Sequence, residues 1–181
     1  MTLVDLNALD ADAAERELLR CCGSTRWARL MIEARPFESA DAMAAAADAV
    51  WAALRPADWL EAFAAHPRIG GAGGAGGAGG AGGASRSGRA GWSKQEQAGV
   101  ASAAPAVIGR LADRNRDYEA RFRYIFIVCA TGKTAEEILD LLERRLGNDP
   151  ETELLIAAGE QRRITRLRLA KLLDGRQAST T

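Results

Sequence analysis

Hydrophobic and polar positions along the chain alternate in the manner of helices, in runs of helix-forming residues separated by Ser, Pro and Gly. "DADAAERELLRCCGS" is made of helix formers, with Gly23 as a stop and Ser24 as the N-cap of the next run. "STRWARLMIEARPF" follows and must end where Pro36 forbids continuation. Ser39 can cap "SADAMAAAADAVWAAL", and Pro56 suits the first turn of "PADWLEAFAAH". "SKQEQAGVASAAPAVIGRLADRNRDYEARF" reads as one helix broken or kinked near Pro105. In "TAEEILDLLERRLG", Thr134 and Glu137 have capping-box spacing and Gly147 closes the helix. A last helix is expected from about Pro150 to about Asp174, with Gly175 as its stop. Only "RYIFIVCAT" favours β, through Ile125, Ile127 and Val128. A lone strand has nothing to pair with, so an extended connector or a buried helix is expected there.

The pattern predicts an all-α fold: one domain over residues 1–181, a multi-helix bundle carrying one long flexible loop over about 70–91. The loop follows from composition, since ten of the fourteen residues from Gly70 to Gly83 are glycine and the rest alanine. Ordering such a stretch costs much backbone entropy and gains no side-chain packing.

Composition narrows the function classes. A length of 181 residues with 48% hydrophobic and 27% charged residues suits a globular core without staples. The net charge is zero and basic residues are interleaved with acidic ones, so nucleic acid is not an expected partner. The acidic N-terminal stretch lacks a basic region followed by an apolar run, so no secretory signal is expected. No apolar run approaches a membrane span of about 20 residues. Three cysteines, Cys21, Cys22 and Cys129, argue against a disulfide framework and fit a cytoplasmic location.

His66 is the only histidine. It precedes Pro67, which favours an extended conformation, and stands beside the glycine tract. It is therefore either a structural residue or the one imidazole available for proton chemistry near neutral pH. One histidine and no C-x-x-C pair make a metal site unexpected. In "WSKQEQ", Ser93 and Glu96 have capping-box spacing, and the same helix start also favours bound anions and carbonyl oxygens. Ile164, Arg168 and Leu172 stand at i, i+4 and i+8, so Arg168 interrupts an apolar row. It can serve as a buried ion-pair partner, or clamp a carboxylate or planar urea-like group through its fork of donors. Cys129 lies in an apolar run and reads as core. Gly71, Gly73 and Gly76 formally satisfy a dinucleotide fingerprint, and "TGKT" ends like a phosphate loop. Neither has the strand-and-helix surroundings that phosphate binding needs.

The segments "LEAFAAHPRIG", "WSKQEQAGV", "FIVCATGKTAEEIL" and "RITRLRL", in this order, resemble the 2-oxo-4-hydroxy-4-carboxy-5-ureidoimidazoline (OHCU) decarboxylases of urate degradation. The resemblance covers about Leu6 to Leu173, interrupted by the Gly-Ala tract. It implies an all-helical, commonly homodimeric, cofactor-free carboxy-lyase that converts OHCU into (S)-allantoin and carbon dioxide. By motif, His66 looks like the catalytic histidine and Pro67 like its neighbour in the pocket wall; Glu96, on the substrate-contacting segment with Ser93 and Gln97, is expected to polarise or orient the histidine. Ile127, Val128, Cys129, Ala130 and Thr131 resemble a stretch that meets substrate largely through backbone groups, and Arg168 matches a substrate-binding arginine. The lengthened loop after "HPRIG" departs from the family pattern. The competing readings are a non-catalytic helical interaction module, with the tract as a spacer, and a nucleotide binder using "TGKT".

Overall fold

The computed structural model describes residues 1–69 and 103–174, and every element among them is a helix. The helices are α1 (Leu3–Ala8), α2 (Ala11–Cys21), α3 (Thr25–Glu33), α4 (Ala40–Ala52), α5 (Pro56–Ala64), α6 (Pro105–Phe122), α7 (Ala135–Arg145) and α8 (Pro150–Asp174). The expected flexible loop, the Ser93–Glu96 helix start and the Gly175 stop lie outside the described residues.

The caps explain most boundaries. Ser24 and Ser39 accept hydrogen bonds from the amides of Trp27 and Ala42, satisfying donors that a helix start leaves open. Asp10 does the same for Ala13. Thr134 and Glu137 complete the reciprocal capping box that their spacing predicts. Pro105 stands at the first position of α6, where its missing N–H is not needed, so on the described side it starts a helix. The sequence pattern gave no sign of α1. Thr2 and Asp5 cap it reciprocally. Tertiary bonds then hold its far end: Asn7 and Phe37 exchange side-chain and backbone hydrogen bonds at 2.9 and 3.0 Å, and Arg35 Nη1 donates to the carbonyls of Leu6 and Leu9.

The chain forms two compact units, Met1–Ala62 with Arg162–Thr181, and Phe63–Gln161. In the first, Leu6, Leu18, Trp27, Met31 and Met43 are wholly or almost wholly buried. Each such side chain stabilises the fold by roughly 1.5–3 kcal/mol relative to exposure. The indole N–H of Trp27 donates to the Ala47 carbonyl at 3.3 Å, tying α3 to α4 while satisfying a buried donor. The second unit has a core of Ile69, Leu111, Tyr118, Phe122, Phe126, Val128, Ala130, Ile138 and Leu142, built on α6, α7 and the connector between them. That connector, residues 123–134, carries no helix, so of the two expected alternatives the buried helix is not formed.

Candidate active site

The segment bearing His66 is fixed on both sides within the second unit. Just before it, Phe63 is fully buried and packs on the Tyr124 ring at a centroid distance of 5.4 Å. The His66 amide donates to the Phe63 carbonyl at 3.0 Å, closing the turn after α5. Just after it, Arg68 grips Glu119 of α6 with two bonds of 2.6 and 2.7 Å. Ile69 is buried, and its carbonyl accepts from Asn115 Nδ2 at 3.2 Å. His66 itself is half-buried with Nε2 shielded from solvent, and Pro67 is exposed.

The Ile127–Thr131 segment belongs to the same core, since Ile69, Val128 and Ala130 share one cluster. Its backbone is held by buried charge. Arg145 Nη1 donates to the Ile127 carbonyl at 2.8 Å, and Arg145 Nε donates to Glu153 at 2.8 Å. The guanidinium also lies over the Phe126 ring, 4.6 Å from its centroid. Glu153 is fully buried and accepts further bonds from Tyr118 Oη and from Asn148 Nδ2. Burial, and then the bond to Glu153, raise the Tyr118 phenol well above its ordinary range, so it stays a donor. Two residues along, the Cys129 amide donates to Glu160 of α8 at 2.8 Å. Val128 and Ala130 are buried, but Cys129 is only half-buried and Thr131 is exposed, so Cys129 is less of a core residue than its apolar neighbours suggest.

Arg168 stands in the other unit. With Ile164 and Leu172 it lies on a buried row, as the i, i+4, i+8 spacing predicts, and it is 1% exposed. Its charge acts on Cys21, but burial dominates there and pushes that thiol up to about 12. Ser93, Glu96 and Gln97 lie outside the described residues. Of the expected 127–131 stretch, Val128 and Ala130 share a core with Ile69, three residues after His66.

"TGKT" has a structural account. Gly132 adopts φ +78°, a conformation that disfavours side chains, and the Lys133 amide closes a turn onto the Ala130 carbonyl at 3.0 Å. Thr134 then caps α7. Among the described residues, no group of three His, Cys, Asp or Glu could hold a metal ion. The sequence reading did not single out Arg145, Glu153 or Glu160. Arg145 is one of two adjacent arginines at a helix end, where a solvated cation suits the dipole, and only packing distinguishes it from Arg144.

The chain belongs to the OHCU decarboxylase family, whose model matches residues 7–170. It is 38% identical, over 90% of its length and 48% of the relative, to the uric acid degradation bifunctional protein TTL of Arabidopsis thaliana. A 2-oxo-4-hydroxy-4-carboxy-5-ureidoimidazoline decarboxylase of Amia calva is 36% identical over 45% of this chain and 46% of its own. The chain thus spans about half the length of the curated relatives it matches. A crystal structure of OHCU decarboxylase in the presence of (S)-allantoin superposes with TM-score 0.73 at 35% identity, covering 88% of this chain and 98% of that one. An (S)-allantoin synthase structure shares the fold, with TM-score 0.70 at 20% identity over 96% of this chain and 55% of the other.

Proposed function

We propose that this chain is a carboxy-lyase that converts OHCU into (S)-allantoin and carbon dioxide in urate catabolism, without a cofactor. The observation that carries the reading is the match to this family over residues 7–170, supported by a core that Ile69, just after His66, shares with Val128 and Ala130. The two compact units are read as parts of one domain, because that match runs through both. The chain is further proposed to be cytoplasmic and to work as a homodimer.

The chemistry suits these residue types. The bond between the ring carbon and its carboxylate breaks, the carboxylate leaves as carbon dioxide, and the electron pair delocalises into the imidazoline. A ring nitrogen takes up one proton, the hydroxyl-bearing carbon becomes a carbonyl as its hydroxyl proton is released, and a proton adds to the neighbouring ureido-bearing carbon; the face on which it adds fixes the S configuration. The substrate ring is its own electron sink, so the protein has to orient, stabilise charge and deliver a proton. His66 is assigned as the general acid/base, with Glu96 orienting it. Arg168 and the amides near Ser93 hold the carbonyl and ureido groups through forked and backbone donors. Pro67, Gln97 and the 127–131 backbone complete the wall.

The test is to add freshly generated OHCU and follow the optical activity of the product. The unmodified protein is expected to speed the appearance of (S)-allantoin, and His66→Ala to lose that acceleration while keeping its Tm. Near-normal turnover by His66→Ala would remove the histidine from the mechanism. No acceleration by the unmodified protein would favour a helical interaction module instead.

A further inference from the structure

Among the described residues no strand lies beside the 125–130 segment, yet its buried amides and carbonyls still need partners. Here charged side chains take the strand's place. Arg145 Nη1 donates to the Ile127 carbonyl and Glu160 accepts from the Cys129 amide, both at 2.8 Å. In an extended segment, the backbone groups of residues i and i+2 face one edge and those of i+1 face the other. The two bonds therefore fix the edge formed by residues 127 and 129 and leave the Val128 groups to the opposite edge.

Resting on the reaction proposed above, we infer that Arg145 and Glu160 are positioning residues, which hold the Ile127–Cys129 backbone from one side so that its other edge is presented to substrate. The two are not equivalent. Arg145 is buried against a fully buried Glu153 and also supports the fold. Glu160 is half-buried rather than part of a fully buried ion pair, so it can be changed with less effect on folding. A carboxylate is a stronger acceptor for that amide than a neutral group, which makes the bond a stiff one.

The experiment compares Glu160→Ala and Glu160→Gln in the full chain. It measures kcat and KM for OHCU, the pH profile of kcat/KM, Tm, and hydrogen exchange at the Cys129 amide by NMR. The clamp predicts that Glu160→Ala lowers kcat/KM about tenfold, the scale of one hydrogen bond to a charged group, with little change in Tm. It also predicts faster exchange at Cys129. Glu160→Gln, whose carboxamide oxygen can still accept, should recover most of the activity, keep the pH profile and restore the slow exchange. Equal losses in both variants would assign Glu160 a charge or proton-transfer role and overturn the clamp. So would unchanged kinetics, or unchanged Cys129 exchange, in Glu160→Ala. If the unmodified protein does not turn over OHCU, the proposed reaction fails, and the exchange measurement alone decides whether Glu160 holds the segment.

Discussion

At the scale of single residues, two arginines show what a sequence can and cannot say about a buried charge. Arg168 stood out because it broke an apolar row, and that row is buried. Arg145 had no such signal beside Arg144, although it is 7% exposed and Arg144 is solvated. For Arg168, the forked guanidinium is the feature that matters in the proposed site. Arg168→Lys keeps the charge but loses the fork, and kcat/KM for OHCU is expected to fall about tenfold or more, with Tm nearly kept. A parallel loss of stability and activity would return Arg168 to a structural role. Cys21 gives a second test. Burial lifts its pKa from 9.0 to about 12, so the folded state favours the protonated thiol. A folded pKa above the unfolded one means stability that is complete below about pH 9 and lost as pH rises towards 12. Tm should therefore decline above about pH 9, and Cys21→Ala should flatten the early part of that decline in a thermal scan across pH.

At the scale of elements, caps and breakers were the legible part. Ser24, Ser39 and Thr134 all accept the bonds their positions suggested, because capping depends on neighbours within one turn. Thr134→Ala removes the hydroxyl half of a capping box and should destabilise the fold by about 1 kcal/mol, read from denaturant midpoints. Helix α1 was not legible. Six residues are too short for a periodic pattern, and its C-terminal end is held by Asn7, Phe37 and Arg35, contacts across about 30 positions of chain. The Gly-Ala tract makes its own prediction from composition. Cutting Gly71 to Gly83 down to a few residues should leave most of the activity towards OHCU, since side-chain-poor sequence supplies few substrate contacts. A complete loss would give the tract a part in closing the site.

At the scale of the whole molecule, stability in the second unit centres on Arg145 and Glu153. Removing one partner leaves a buried charge without compensation, so Arg145→Ala should destabilise by about 3–5 kcal/mol in chemical denaturation. A near-neutral result would mean that Glu153 protonates or finds water. Metal independence is checked by exhaustive treatment with a chelator, which should leave OHCU turnover unchanged. The proposed homodimer is checked by sedimentation equilibrium, where a monomer mass at micromolar concentration would reject it.

The sequence by itself determined the all-helical class, most helix ends and the motifs that point to OHCU decarboxylases. These rest on local rules of spacing, capping and backbone freedom, which act within a few residues. Tertiary structure decided which arginine is buried at the end of α7, what holds the lone extended segment, and that this segment shares a core with the chain around His66. Those outcomes depend on partners 18 to 46 positions apart in the chain, such as Ile127 with Arg145 or Ile69 with Asn115. Spacing along the sequence carries no record of such pairings, because a buried amide can be satisfied by any donor or acceptor that packing brings within reach.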